Sequence, residues 1–171
     1  MMQMLAAGGL AVLTDNLRQA DEDNPRGYFE IEKVKSIKED ASWLGDARGK
    51  VLKMVSMLLQ DLPSDRVFKI IFMRRILDEV LASQAKMLKR RGPEEGTVGD
   101  EQMKSIYRKH LRGIESWLSK QTNIAVLYVD YNRTIREPLE TAMEVNRFLG
   151  GTLKVEEMVM TVDEQLYRQR K

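Results

Sequence analysis

Arg74 and Arg75 directly follow the apolar run VFKIIFM (67–73) and stand at the entrance to an amphipathic segment, with Ser83 eight residues beyond Arg75. A guanidinium donates in a planar fork matched to phosphate or sulfate. A helix N-terminus adds unpaired N–H groups and partial positive charge. Arginines at a strand-to-helix junction, followed two helical turns later by a hydroxyl, therefore suit an oxyanion. They also suit plain surface ion pairs with a solvated serine, and spacing alone leaves both roles open.

Other chemistry-bearing residues are sparse. His110, the one histidine, falls on the apolar stripe of a helix with no second catalytic group near it in sequence. It reads as a partly buried, hydrogen-bonded side chain rather than a base. No His/Asp/Glu cluster has metal-ligand spacing, and with no cysteine there is no thiolate site or disulfide. Asp15 reads as a turn or cap aspartate, Lys53 as a lysine snorkelling from a strand end, and Arg18 and Arg26 as exposed loop cations. The cationic run Lys86–Arg91 reads as a solvated helix end.

The elements that must position these groups alternate. Residues 1–7 read as a helix ended by Gly8-Gly9, then Leu10–Leu13 as a short buried strand. Asn24-Pro25-Arg26-Gly27 is a turn. Ile31–Ala41 has helical spacing, KVLKMV (50–55) reads as a strand, and Leu58–Asp65 as a short helix and loop. Val67–Met73 is a strand buried on both faces. The helix after it carries Asp78 and Glu79 first and Lys86–Arg91 last, as the helix dipole favours, and stops at Gly92-Pro93. A loop at 96–100, a long helix over 101–120, a strand over 124–129 and a helix from Pro138 to Leu149, capped by Gly150-Gly151, complete the chain. Such alternation predicts an α/β domain of three layers, a mostly parallel sheet with helices on both faces. Ligands in such sheets bind at the carboxyl ends of the strands, where Arg75 stands.

Length and composition describe one domain over residues 1–171. A net charge of +2 from 28 basic and 26 acidic residues gives no nucleic-acid face. The opening MMQMLAAGGLAVL is shorter than the about 20 apolar residues a membrane span needs and lacks a basic leader, so no membrane partner is expected. The cysteine-free chain fits a reducing, cytoplasmic setting.

KIIFMRRILDEVLAS resembles the segment of P-loop sulfotransferases in which a strand leads to Arg-x7-Ser, the pair that binds the 3′-phosphate of 3′-phosphoadenosine 5′-phosphosulfate. Arg75 and Ser83 match it. VLYVDYNRTIREPLETAMEVNRFLG is similar to the family stretch in which a strand ends in a Tyr-Glu-Asp-Leu type motif, with Asp130, Tyr131, Pro138 and Phe148-Leu149-Gly150 in the corresponding places. KVLKMV resembles the strand that ends near the catalytic centre, while DEDNPRGYFE and LYRQRK are similar to bacterial members. The resemblance implies a P-loop NTPase-like sulfotransferase fold, transfer of a sulfuryl group from 3′-phosphoadenosine 5′-phosphosulfate to a hydroxyl or amine on a small-molecule or glycan acceptor, and no metal. It places Lys53 near the transferred group and Asp15, or Glu30 after the turn, as the base.

Two departures follow. The family's Pro-(Lys or Arg)-Ser-Gly-Thr-(Ser or Thr) loop does not occur in these residues, and a domain that opens on a core helix is unusual. The expectation is a domain N-terminally truncated after its first strand and phosphate loop, and inactive as such. The histidine that cytosolic members carry after KVLK is replaced by Met54, Val55 and Ser56. A non-catalytic nucleotide-binding or scaffold module is the alternative. A nucleotide kinase would need a Gly-x4-Gly-Lys-(Ser or Thr) loop, which does not occur. Segments 15–45 and 92–102, expected to shape the acceptor pocket, carry no pattern that identifies a substrate.

Overall fold

The apolar runs 67–73 and 124–129 pair side by side. In the computed structural model, which describes residues 1–21, 24, 27–91 and 100–163, with side chains omitted at 86–91 and 100, Phe68–Arg74 (β1) runs parallel to Ile124–Asp130 (β2). The register matches Phe68 to Ile124 and Arg74 to Asp130, so both strands end level and deliver Arg75 and Tyr131 side by side. Alternation along the strands assigns the side chains to two faces. Ile71, Met73, Leu127 and Val129 turn to one core. Ile70, Phe72, Val126 and Tyr128 turn to another.

Helices cover both faces. On the first lie Met2–Ala7 (α1), Pro138–Leu149 (α5) and Val155–Met160 (α6), whose Met4, Leu5, Ala142, Val145 and Met158 are buried. On the second lies Asp100–Leu118 (α3), which buries Ile114 and Leu118 beside Leu59. Leu77–Arg91 (α2) follows β1 and packs on α3. There Gln84 Nε2 donates to the Tyr107 hydroxyl at 2.7 Å, and Lys104 bridges Asp78 at 2.8 Å. The Asp78 and Glu101 carboxylates raise Lys104 to about 12.

Tyr131–Arg136 (α4) follows β2 without a loop, because Asp130 acts as its cap, accepting from the Arg133 amide at 2.7 Å. Sequence periodicity did not anticipate α4 or α6, each six residues long. Pro138 opens α5 as expected, and Gly150, at φ 120°, ends it with its amide on the Asn146 and Arg147 carbonyls.

The sheet is smaller than sequence predicts. Leu10–Leu13 and KVLKMV do not form strands; they meet in a single parallel bridge, Val12 to Val51. Ile31–Ala41 is not an α-helix either: Glu32–Ser36 and Ser42–Ala47 are 3₁₀ turns, burying Val34, Ile37, Trp43 and Leu44 in a third cluster. Spacing of apolar residues every three fits both helix types, and the short 3₁₀ form wins where the chain must keep turning. Ser56–Asp61 is likewise 3₁₀. Among the described residues, no helix is long and apolar enough to cross a membrane.

Candidate functional site

The two arginines after β1 separate, as adjacent strand-end residues must. Arg74 reaches Glu115 on α3 at 2.7 Å and lies 4.1 Å above the Tyr128 ring, the ion-pair role. Arg75 turns to the other side. Its Nε donates to Glu79 Oε2 at 3.1 Å, and its guanidinium sits 4.7 Å from the Tyr131 ring. Glu79 is fully buried, and Asn132 Nδ2 donates to its other oxygen at 3.0 Å.

A buried carboxylate thus fixes the arginine, one strand end supplies the guanidinium, and the neighbouring strand end supplies the ring beneath it. The terminal nitrogens of Arg75 make no hydrogen bond or ion pair among the described residues, and its side chain is 26% exposed. Those nitrogens are oriented donors without an acceptor among the described residues. Ser83 is exposed on α2, one turn beyond Glu79. Positions 79 and 83 are one turn apart on α2, and Arg75 precedes the helix.

A second cluster gathers around Lys53. Its Nζ donates to Glu30 Oε1 at 3.0 Å and to the Tyr28 carbonyl at 3.2 Å. Arg18 approaches Glu30 at 3.4 Å and stacks over the Tyr28 ring at 3.3 Å. Burial would raise the Glu30 carboxyl, but the Lys53 hydrogen bond and the Lys53 and Arg18 charges outweigh it and hold it below its ordinary value. Burial and the hydrogen bond to Asp21 raise Tyr28.

Phe29 between them has φ 52°, in the left-handed region a bulky residue avoids. Both flanking carbonyls are pinned: Tyr28 O by Lys53, and Glu30 O by the Thr14 hydroxyl at 2.8 Å and the Asp15 amide at 3.3 Å. The strained residue is held by bonds on either side.

Asp15 is engaged in that frame. Its carboxylate accepts the Glu32 amide at 2.6 Å and the Leu17 amide at 3.1 Å, and these bonds, Glu32 first, hold it below its ordinary value. Of the two carboxylates weighed as base, Glu30 is the one in contact with Lys53. His110 is half-buried, with Nε2 2.9 Å from Ser56 Oγ. Arg26 and the side chains of Lys86–Arg91 lie outside the described residues.

Glu79, Tyr131 and Asn132 were not singled out from sequence as partners of Arg75. The 75/79 spacing carries the signal for the first. The second and third are visible only once β1 and β2 are known to be parallel and in register.

An anchored guanidinium at the carboxyl end of a parallel strand has the geometry that suits an oxyanion. The sulfotransferase domain family matches residues 50–171, and the chain belongs to that family. Sulfuryl transfer is that family's chemistry. The matched span includes Lys53, Arg75, Ser83 and Tyr131; Asp15 and Glu30 precede it. No curated protein and no solved structure matches the chain.

Proposed function

We propose that residues 1–171 are one sulfotransferase domain whose donor is 3′-phosphoadenosine 5′-phosphosulfate and whose acceptor is a hydroxyl or amine of a small molecule or glycan. Arg75 and Ser83 hold the 3′-phosphate. The observation that carries this is the Arg75 guanidinium: braced by buried Glu79, stacked on Tyr131, and left with its terminal nitrogens unpaired among the described residues at the mouth of α2. Bracing one edge of the fork while leaving the other open pre-organises it for a bidentate phosphate contact, and the partial positive charge at the N-terminus of α2 adds to it.

Lys53 stabilises charge on the sulfuryl oxygens. Glu30, rather than Asp15, is the carboxylate placed to assist it, because both Asp15 oxygens already bind amides. In-line transfer asks for positioning and charge neutralisation more than for covalent chemistry. These 171 residues carry the 3′-phosphate half of a donor clamp and no 5′-phosphosulfate loop of the family's type. The chain alone therefore binds 3′,5′-bisphosphoadenosine weakly and turns over little.

Isothermal titration tests this. Ser83→Ala lowers affinity by about tenfold, the worth of one hydrogen bond to a charged group, and Arg75→Lys lowers it further, since an ammonium replaces neither the fork nor the stack. Both variants binding as tightly as the parent would overturn the assignment.

A further inference from the structure

No second catalytic group stands near His110 in sequence, but the fold brings one from 54 residues away. Ser56 opens the 3₁₀ turn Ser56–Asp61, which packs against α3, and its Oγ lies 2.9 Å from His110 Nε2. With the ring proton on Nδ1, which has no partner among the described residues, the hydroxyl donates to Nε2. That is the separation and the polarity of a nucleophile beside its base. Both side chains are half-buried, so the pair is not sealed in the core.

The imidazole lines an open pocket of about 490 Å³ together with Gln60, Ile106, Lys109, Gly113 and Ile114. Gly113 follows His110 by three residues and so stands beside it on α3, in a helix interior where alanine is the more stable residue. A Cβ at Gly113 would meet no atom within 4 Å, so the packing of the described residues does not call for glycine. Its missing side chain leaves room in the pocket next to the imidazole. Ile106 and Ile114 offer apolar contact, while Gln60 and Lys109 are donors on the same lining. Such a lining suits a short acyl chain whose carbonyl oxygen gains negative charge under attack.

We propose that Ser56 and His110 are a nucleophile–base dyad that accepts an acyl group from an activated carboxylic ester with a short apolar chain. Ser56 Oγ attacks the ester carbon as its proton passes to His110 Nε2, the bond to the leaving oxygen breaks, and His110 returns the proton to that oxygen. Water then gives a proton to Nε2 and attacks the acyl carbon; the acyl–Oγ bond breaks, Oγ takes the proton back and the carboxylic acid leaves. With an activated ester, whose leaving group departs easily, acylation outruns hydrolysis and the acyl-serine accumulates. The dyad uses none of Lys53, Arg75 and Ser83, and it does not rest on the nucleotide reading.

p-Nitrophenyl butyrate added to the full chain tests the dyad by p-nitrophenolate release and by peptide mass spectrometry. The expected result is a burst of about one p-nitrophenolate per chain, with the butyryl group on Ser56. His110→Gln, which keeps a hydrogen-bond partner for the hydroxyl but is no base, slows the burst at least about a hundredfold. Gly113→Ala, which favours the helix and fills the pocket, slows it several-fold while melting no lower than the parent. Release no faster than in buffer, butyryl groups on lysines in place of Ser56, or an unchanged burst in His110→Gln overturns the proposal.

Discussion

Arg75 carries two duties that a single substitution confounds. It presents donors to solvent and it neutralises Glu79, which is fully buried. Removing one partner of a buried ion pair costs about 3–5 kcal/mol. Arg75→Ala is therefore expected to lower thermal stability markedly in a differential scanning measurement, and a melting temperature equal to the parent's would show that Glu79 does not depend on it. Ser83 has no such duty: exposed and outside the Glu79 network, it separates binding from folding, so Ser83→Ala leaves the melting temperature unchanged.

The acidic residues of the second cluster set a pH dependence with a definite sign. Asp15 and Glu30 are both held below their ordinary values of 3.8 and 4.5. The stability they contribute is complete above those values and is lost as pH falls through the lower folded-state values. Urea midpoints are expected to be flat on their account from neutral pH down to about 5 and to fall below that. Glu30→Gln shallows the fall, and an unchanged acid profile in that variant would remove Glu30 from the cluster. At this scale the sequence displays the spacing of Arg75 and Ser83, which is local. It was not informative about Glu30 meeting Lys53, because 23 residues of irregular backbone separate them.

Among the elements, β1, β2, α2, α3 and α5 were legible because each carries its own period and its own stop: a continuous apolar run for a strand buried on both faces, a stripe with Asp78 and Glu79 leading for α2, Pro138 and Gly150 bracketing α5. KVLKMV carries an equally apolar pattern, yet only Val51 pairs. A ladder belongs to two segments, and no property of residues 50–55 reports whether a neighbour runs alongside.

The α1–α6 contact is a similar case, set by a glycine whose φ of −65° is ordinary. Gly8 lacks a side chain for reasons of space: a Cβ there would lie 2.8 Å from Met158 Cγ and 3.2 Å from the Met4 carbonyl oxygen. Met158 is fully buried and has nowhere to retreat. Gly8→Ala is expected to destabilise the chain by roughly 1–3 kcal/mol, the usual cost of overpacking. A chemical-denaturation midpoint at or above the parent's would contradict the close packing of α1 on α6.

For the molecule as a whole, the parallel sheet with helices on both faces and the family match over residues 50–171 converge on the same class, and the Arg75 guanidinium stands where such a sheet places ligands. The account's central claim is that Arg75 and Ser83 recognise one phosphate, that on the 3′ position of the ribose. Titrating parent and Ser83→Ala with 3′,5′-bisphosphoadenosine and with adenosine 5′-monophosphate isolates that group. The account predicts that the parent prefers the bisphosphate by at least about tenfold and that Ser83→Ala loses most of the preference while binding the monophosphate as the parent does. Equal affinity of the parent for the two nucleotides, or an identical preference in the variant, would contradict it.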